Sequence, residues 1–463
     1  MFGKVTLLNP PILMERIYGR MSAFGSVSAP TGLCYLAAEL QRLGYEPTII
    51  DAEALGLGVP DTATRILDTK PDFVGITCKT LSLKNAGMVA ALLKATRPDL
   101  PIIVGGNHVT ARPLESLAEF PEVDYVVVGE GERTLPDLLL GCEYRADPAR
   151  VDGIAYRSSD GPVCTRPRRR IAWLDDLPPP AYDMLPELKT HYWPLFNNVD
   201  RYPALSVLNS RGCHGKCKFC DRGTFGNRVT RHSPEYVVTL LKYLRDEHGI
   251  RYFVFDDDNF ASNRDYLWEL TGLMRGEGFP FTCESRVDMV NPEMLGWLKR
   301  AGCRRIMYGI ESGCQRMLDA MGKGINLHQI RSAVAATKAA GIKTFGYFML
   351  GFPGETEDSM WETVEFIREL KLFDVGVQPF APMVGSSIYP RIREFGQFDE
   401  NWSRMGAYDE IPFVANGLTE AMLREYVDRC YAACYQRAYQ YLGLYRRLRS
   451  WRQVKLIARY LLT

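Results

Sequence analysis

Short runs of apolar, β-branched residues alternate with helix-like patterns along the first third of the chain. The runs lack the polar alternation of a half-exposed strand, which is typical of strands covered on both faces of a parallel sheet. There are five of them: Val5 to Leu8, Thr48 to Ile50, Phe73 to Ile76, Ile102 to Val104 and Tyr125 to Val128. The pattern predicts a doubly wound, Rossmann-like domain over residues 1–145, whose ligands bind beyond the carboxyl ends of the strands.

The loops that follow these strands are rich in small residues, which let a flat ligand lie against the backbone. Turns and helix caps alone account for the same composition, so that alternative stays open. No Gly-x-Gly-x-x-Gly follows the first strand, which disfavours a dinucleotide-binding domain. The candidate ligand-contacting residues are Pro10, Thr77, Cys78, Lys79, Thr80, Gly105, Gly106, Asn107, His108, Gly129, Glu130, Gly131 and Glu132.

Residues 146–200 break the alternating pattern. Val151 to Tyr156 and Ile171 to Trp173 are expected to pair as a small hairpin, and three successive prolines begin at Pro178. Such punctuation indicates a linker and the boundary of the first domain.

The alternation resumes at residue 201 and continues to residue 390. Six further strand-like runs occur there: Ala204 to Leu208, Tyr252 to Phe255, Phe281 to Glu284, Arg305 to Tyr308, Thr344 to Leu350 and Asp374 to Val377. Six βα units predict a partial (β/α)6 TIM-like barrel over residues 201–390, with functional groups at the carboxyl ends of its strands. Residues 391–463 are expected to form a helical C-terminal region.

Three of the twelve cysteines lie within eight residues, shortly after the first barrel strand. Cys213, Cys217 and Cys220 have the spacing Cys-x3-Cys-x2-Cys, which suits three irons of a [4Fe–4S] cluster and leaves the fourth iron open to another ligand. Two alternatives stay open. A structural zinc usually needs a fourth protein ligand, and the nearby candidates lack the usual second-pair spacing. Structural thiols without a metal are the other alternative.

This cysteine motif, with Phe219 directly before its third cysteine, resembles the signature of the radical S-adenosylmethionine superfamily. The first-domain loops resemble the subgroup with an N-terminal cobalamin-binding domain, and the resemblance covers residues 4–390. It implies that Cys213, Cys217 and Cys220 hold the cluster and that S-adenosylmethionine binds the open iron. It also implies that reduction of the cluster cleaves S-adenosylmethionine and yields a 5′-deoxyadenosyl radical. This chemistry belongs to the cofactors, while the protein positions them.

The resemblance further implies a set of contacts with S-adenosylmethionine. Two acids stand where the family carries Gly-Gly-Glu, and a carboxylate is a suitable partner for the ligand's ammonium group. An arginine and a glutamate match positions near its carboxylate or ribose, and a glycine-rich turn matches the adenine edge. An ordinary ion pair at the barrel rim is the alternative for each charged residue. The implied set is Phe219, Asp257, Asp258, Arg286, Glu311, Gly351 and Phe352.

For cobalamin, the resemblance implies that the first-domain loop residues named above cradle the ring. The stretch after the first strand, which begins at Asn9, contains no histidine. His108 is not expected to ligate cobalt, since a ligating histidine needs a directed hydrogen-bond partner. No protein imidazole is therefore predicted on the metal.

Composition limits the partners and the location. The 56 basic and 55 acidic residues leave a net charge of +1, which does not indicate a nucleic-acid binder. No apolar run reaches the roughly 18 residues of a membrane span, and the N-terminus lacks the features of a signal peptide. We therefore expect a cytoplasmic protein.

The acid-free basic segment from Arg429 to Thr463 is expected to pack on the barrel, with contact to a membrane surface as the less favoured alternative.

Together these features predict a cobalamin-dependent radical S-adenosylmethionine enzyme, foremost a methyltransferase that acts on an unactivated carbon of a small molecule or natural-product intermediate. The first alternative is a non-methylating radical enzyme on the same scaffold, which forms or contracts a ring or removes water. The second is a redox sensor or electron carrier. The open iron disfavours it, and so does the size of the barrel, which is larger than a carrier needs. The enzyme hypothesis also implies an external electron donor such as flavodoxin or ferredoxin.

Overall fold

The computed structural model describes residues 3–406 and 410–435 and contains two successive α/β units. The strands of the first unit are β1 (Lys4–Asn9), β2 (Glu46–Asp51), β3 (Phe73–Thr77), β4 (Ile102–Gly105), β5 (Tyr125–Val127), β6 (Ile154–Ser158) and β7 (Gly161–Cys164). They form one sheet in the order β2-β1-β3-β4-β5-β6-β7. Strands β1 to β5 are parallel, so the loops after β3, β4 and β5 meet at one edge.

Helices cover both faces of this sheet, which explains the uninterrupted apolar strands. Along β1, Leu7 belongs to one buried cluster and Leu8 to another on the opposite face. The helices are α1 (Met14–Tyr18), α2 (Thr31–Arg42), α3 (Val59–Asp68), α4 (Leu83–Thr96), α5 (Asn107–Ala111), α6 (Pro113–Glu119) and α7 (Gly131–Glu143).

The predicted hairpin is present, but its second strand was assigned wrongly. Strands β6 and β7 pair through Ser158 and Gly161, and β6 extends the first sheet antiparallel to β5. The two-residue turn, with Gly161 at a φ of 117°, returns the chain at once and leaves no role for a later strand. Ile171 instead packs in a small apolar cluster with Tyr35. The domain boundaries at residues 145, 200 and 390 stay predictions.

The second unit is the partial barrel. Its strands are β8 (Ala204–Val207), β9 (Ser210–Arg211), β10 (Thr230–Arg231), β11 (Tyr252–Phe255), β12 (Phe281–Ser285), β13 (Cys303–Glu311), β14 (Lys343–Leu350) and β15 (Asp374–Pro379). Its helices, with one in the preceding linker, are α8 (Leu188–His191), α9 (Pro234–Asp246), α10 (Arg264–Met274), α11 (Pro292–Ala301), α12 (Gln315–Ala320), α13 (Leu327–Ala339) and α14 (Glu357–Leu370). Six strands form the predicted sheet of the partial barrel, and their order is β15-β14-β13-β12-β11-β8.

The segment that precedes β8 closes the amino-terminal end of the barrel. Arg305 is fully buried there, and its guanidinium lies 3.2 Å from a carboxylate oxygen of Asp200. The Lys343 ammonium lies 2.8 Å from the same oxygen. Ligands therefore enter at the opposite, carboxyl-terminal end of the strands.

The described part of the C-terminal region contains the expected helix, α15 (Glu420–Cys434), which packs on β15. The Tyr431 hydroxyl accepts a hydrogen bond from the Val377 amide at 3.2 Å. A two-stranded antiparallel sheet of β16 (Gly396–Phe398) and β17 (Phe413–Ala415) was not predicted. Of the acid-free basic segment from Arg429 to Thr463, residues 436–463 lie outside the described residues. Within residues 3–406 and 410–435, no helix combines the length and apolar character that a bilayer crossing requires.

A substitution at Gly302, between α11 and β13, tests how closely the barrel backbone packs. Its φ is 109°, and a Cβ there would lie 2.2 Å from the carbonyl oxygen of Phe279. We expect Gly302→Ala to lower the free energy of unfolding by about 2 kcal/mol or more, because both strain and a backbone clash arise. Gly272→Ala, on an open face of α10, is the matched control and should be neutral or stabilising. Urea unfolding of both variants checks this, and equal losses would contradict it.

Candidate active site

The three cysteines lie on a loop at the open end of the barrel. Cys217 is buried, while Cys213 and Cys220 are half-buried. The Gly215 amide donates to the Cys213 sulfur at 3.3 Å. The loop is also tied to the turn after α12, because the Lys218 amide donates to the Met321 carbonyl at 2.9 Å. The predicted trio thus meets in a small region at the carboxyl end of β8.

Positive charge surrounds the sulfurs. The Arg286 guanidinium lies 3.8 Å from the Cys217 sulfur and is held by Asp288 at 2.9 Å. A hydrogen bond from Cys220, together with the charges of Lys323 and Arg286, lowers the pKa of the Cys217 thiol to about 6. The same hydrogen bond raises the pKa of Cys220. A thiol that ionises readily is suited to bind a metal, so the donor set fits an iron–sulfur cluster.

The cysteines are not arranged around a single point. Across residues 3–406 and 410–435, no three His, Cys, Asp or Glu side chains converge as they would around one metal ion. Cysteines that hold a four-iron cluster bind separate irons, so this geometry is compatible with the predicted cluster. The twelve cysteines form no disulfide.

Two of the predicted S-adenosylmethionine contacts, Glu311 and Arg286, both contact Lys323 beside the cysteines. Glu311 ends β13, and its carboxylate lies 2.7 Å from the buried Lys323 ammonium. Arg286 is the second predicted contact in this pocket, and it donates to the Lys323 carbonyl at 2.8 Å. Lys323 follows α12 in the chain, and its packing against Glu311 brings a positive charge to the site.

The two predicted acids hold the loop itself. Asp257 is fully buried, and one of its oxygens accepts from both the amide and the hydroxyl of Ser210 at 2.5 Å. Its carboxylate also accepts from the Asn209 amide at 3.2 Å. Asp258 accepts from the Gly212 amide at 3.0 Å. Asp257 therefore helps to position the loop, and contact of either acid with S-adenosylmethionine stays a prediction.

Aromatic rings form the wall beside the cysteines. Phe219 and Phe352 meet edge to face with ring centres 6.4 Å apart, and Phe352 is buried against Phe380. The Lys323 ammonium lies 5.9 Å from the centre of the Phe219 ring. Gly351, which has a φ of 84°, packs against Leu423 of α15. Contact of Phe219, Gly351 or Phe352 with an adenine ring stays a prediction.

The inner wall of the barrel carries acids that the sequence analysis did not select. Asp256 is accessible from the open end, yet surrounding protein raises the pKa of its carboxyl to about 6. Burial, followed by the charge of Asp256, raises the pKa of Glu284 to about 8. The Tyr347 hydroxyl donates to Glu284 at 3.0 Å. This wall of the barrel therefore bears two carboxyl groups that are protonated more readily than usual.

The predicted cobalamin loops lie together at the carboxyl edge of the first sheet. The Cys78 amide donates to the Gly105 carbonyl at 2.6 Å, and the Gly129 amide donates to the Thr110 hydroxyl at 3.1 Å. A Cβ on Gly129 would meet nothing within 4 Å, so open space adjoins this loop. The open space at Gly129 and the exposed Lys79 leave room for a ligand at this edge.

Two side chains in the predicted cobalamin set face the protein instead. Cys78 is 1% exposed and belongs to the core of the first unit. His108 is 2% exposed, its Nδ1 lies 3.1 Å from the Thr80 hydroxyl, and its ring meets Trp402 edge to face. Burial lowers the pKa of His108 to about 4. The His108 imidazole is thus packed among protein groups, and the absence of a histidine ligand on cobalt stays a prediction.

The carboxylates of Glu130 and Glu132 bind Arg211 at 3.0 and 2.6 Å, and contact of these two residues with cobalamin stays a prediction. Sequence reasoning missed Arg211, Lys323, Asp256 and Glu284. A usable signal existed for two of them. Arg211 stands two residues before the first motif cysteine, and Glu284 is the acid that ends an apolar strand run.

Two protein families match this chain, one for each of its α/β units. The radical SAM superfamily matches residues 208–367, and the B12 binding domain matches residues 19–139. An uncharacterised methyltransferase of Pyrococcus horikoshii is 34% identical over 372 residues, which are 80% of this chain and 78% of that protein. The chain belongs to the radical S-adenosylmethionine superfamily, in the subgroup with an N-terminal B12-binding domain. It is a radical S-adenosylmethionine enzyme by family.

Two further relatives have named activities. Cytidylyl-2-hydroxyethylphosphonate methyltransferase of Streptomyces wedmorensis is 27% identical over 445 residues, which are 84% of this chain and 81% of that protein. An anaerobic magnesium-protoporphyrin IX monomethyl ester cyclase of Rubrivivax gelatinosus is 28% identical over 352 residues, which are 73% of this chain and 62% of that protein.

Solved structures confirm the predicted fold. The cobalamin-dependent S-adenosylmethionine radical enzyme OxsB has a TM-score of 0.76 at 18% identity, over 92% of this chain and 66% of its own. The radical S-adenosylmethionine methyltransferase TsrM of Kitasatospora setae has a TM-score of 0.68 at 18% identity, over 85% of this chain and 75% of its own.

The Lys323–Glu311 pair tests the electrostatics of the site. We expect Lys323→Met to lower the free energy of unfolding of the cofactor-free protein by about 3 kcal/mol, because it removes the ion-pair partner of a buried carboxylate. Lys242→Met is the matched control, since Lys242 pairs with Glu277 at 2.7 Å on the surface. That control should cost less than about 1 kcal/mol. Equal costs in anaerobic urea titrations would contradict the assignment.

The raised pKa of Glu284 predicts how stability depends on pH. Between its ordinary pKa of 4.5 and about 8, the native carboxyl binds more protons than the unfolded one, so stability falls as pH rises. Glu284→Gln lacks this loss, and we expect it to gain at least about 1 kcal/mol on the wild type between pH 5 and pH 8. Urea titrations across that range measure the difference. Parallel curves for the two proteins would show that the carboxyl is not perturbed.

Proposed function

We propose that this protein is a cobalamin-dependent radical S-adenosylmethionine methyltransferase that acts on an unactivated carbon of a small molecule or natural-product intermediate. The observation that carries the proposal is the arrangement of the two units. Three cysteines with adjacent positive charge lie at the open end of the barrel, and a B12-binding domain contacts the same loop. The methyltransferase relatives support the choice of reaction.

When bound, the cluster would supply an electron to cleave S-adenosylmethionine and cobalamin would carry a methyl group, which is chemistry of the cofactors themselves. The protein's own residues bind and orient. Cys213, Cys217 and Cys220 hold the cluster, and Arg286 is suited to an anionic carboxylate. Asp258, one of the two acids predicted to contact S-adenosylmethionine, is suited to an ammonium group. The barrel and the aromatic wall of Phe219 and Phe352 exclude water from the pocket.

The proposed cobalamin site uses the backbone of the loops after β3, β4 and β5. Thr77, Gly105, Asn107 and Gly129 are half-buried at this edge, and Lys79 is exposed. Proximity of this edge to the barrel mouth is what a transfer between two bound groups requires. We also propose an external donor such as flavodoxin or ferredoxin, and a cytoplasmic location, where twelve free thiols persist.

A second candidate is a non-methylating radical enzyme on the same scaffold. The cyclase of Rubrivivax gelatinosus favours it, because that relative is 28% identical to this chain, against 27% for the second methyltransferase. The two candidates share the cluster, S-adenosylmethionine and cobalamin, and differ in the fate of the methyl group.

Labelled S-adenosylmethionine separates these candidates. With anaerobically purified protein, a candidate-substrate extract and a chemical reductant, we expect transfer of the labelled methyl group to a small-molecule product, together with 5′-deoxyadenosine. 5′-Deoxyadenosine without a methylated product supports the second candidate. A cluster that never cleaves S-adenosylmethionine would overturn both and support an electron carrier. The optical spectrum of the same sample reports whether cobalamin accompanies the cluster.

The cysteine assignment has its own test. We expect Cys217→Ala to lose bound iron and sulfide and all release of 5′-deoxyadenosine, because a cluster held by two thiolates is not stable. Cys164→Ala is the control, since Cys164 is exposed on β7 in the first unit. Iron and sulfide analysis after anaerobic reconstitution measures both variants, and unchanged iron in Cys217→Ala would refute the assignment.

A further inference from the structure

Arg211 connects the two units directly beside the first cluster cysteine. It lies in β9, two residues before Cys213, and is 7% exposed. Its two terminal nitrogens contact different carboxylates of the first unit, Glu130 at 3.0 Å and Glu132 at 2.6 Å. A guanidinium can span two carboxylates in fixed geometry, whereas an ammonium is a point charge. The contact therefore fixes direction as well as distance.

The surroundings of this contact exclude water and add further constraints. The guanidinium carbon lies 5.3 Å from the ring of Tyr35, on α2 of the first unit, and 5.6 Å from the ring of Phe225. The second oxygen of Glu130 accepts from the Ile171 amide at 2.9 Å. Partial desolvation strengthens charge pairing, so these acids hold Arg211 more firmly than a surface pair would.

The same short segment is held from the barrel side by main-chain contacts. Asp257 binds the amides of Asn209 and Ser210, and Asp258 binds the amide of Gly212. Residues 209–212 are thus fixed between acids of the barrel and acids of the first unit. The loop that carries Glu130 and Glu132 is also one of the loops at the proposed cobalamin edge.

We propose that Arg211, together with Glu130 and Glu132, is a positioning residue that sets the separation between the cluster and the cobalamin. This inference rests on the proposed function, since it requires both cofactors. A displacement of about 1 Å between reacting groups costs about a hundredfold in rate, so a rigid contact at this point has a functional consequence. Arg211 touches neither cofactor in this scheme and acts through the loop and the first unit.

The first measurement uses the cofactor-free full chain. Hydrogen–deuterium exchange of residues 209–213 should quicken by about tenfold or more in Arg211→Ala and by less in Arg211→Lys, because lysine retains one contact. Arg331→Ala is the matched control, since Arg331 also binds a carboxylate through two nitrogens but on the surface, to Glu369 at 2.6 and 2.9 Å. It should leave this segment unchanged.

The second measurement uses protein reconstituted with iron, sulfide and hydroxocobalamin, then reduced. The reduced cluster speeds the spin relaxation of cob(II)alamin, and this effect falls steeply as the separation between the two groups grows. We expect this enhancement to fall by about twofold or more in Arg211→Ala at unchanged iron and cobalamin content, with partial recovery in Arg211→Lys. A merely structural residue would change cofactor content or stability without this change in spin relaxation.

The outcomes are distinct. Wild-type exchange and wild-type relaxation in Arg211→Ala would overturn the inference. If Arg211→Ala does not fold, the double variant Arg211→Gln, Glu132→Gln removes one charge of each sign and must still show the relaxation change. If the wild type binds no cobalamin, the proposed function fails, and the exchange experiment alone then decides whether Arg211 fixes the loop.

Discussion

Carboxylates from both α/β units hold the loop that carries the three cysteines. An irregular loop has backbone amides without ladder partners, and buried amides left unpaired are costly. Two acids of the barrel, Asp257 and Asp258, accept hydrogen bonds from these amides. Two acids of the first unit, Glu130 and Glu132, bind the guanidinium of Arg211 in the same loop. The positions of the sulfurs therefore depend on acids that lie far away in the chain.

Charge divides the pocket into two parts. Lys323 and Arg286 surround the cysteines with positive charge, which stabilises thiolates and is suited to an anionic ligand. Asp256 and Glu284 stand on the barrel wall, where the surrounding protein raises the pKa of both carboxyls. The amino-terminal end of the barrel is closed through Arg305 and Asp200, so the open end is where these two parts meet.

Features encoded by neighbouring residues could be predicted from the sequence. The five first-unit strands and the six barrel strands follow from buried apolar runs, and the cysteine spacing indicates the cluster. Partner choice over long distances could not be predicted. Nothing local to Glu130 or Glu132 indicates that Arg211 binds them, and nothing local to His108 indicates that Trp402 covers it. The hairpin partner was wrong because a two-residue turn and a longer loop have similar composition. Lys323 follows a helix in sequence, and only the packing of the barrel brings it to Glu311.

The central claim is that three sulfur donors leave one iron open to S-adenosylmethionine. The electron paramagnetic resonance spectrum of the reconstituted, reduced protein tests it directly when it is recorded before and after addition of S-adenosylmethionine. The account predicts the signal of a reduced [4Fe–4S] cluster that changes when S-adenosylmethionine is added. No cluster signal, or a signal that S-adenosylmethionine leaves unchanged, would contradict it.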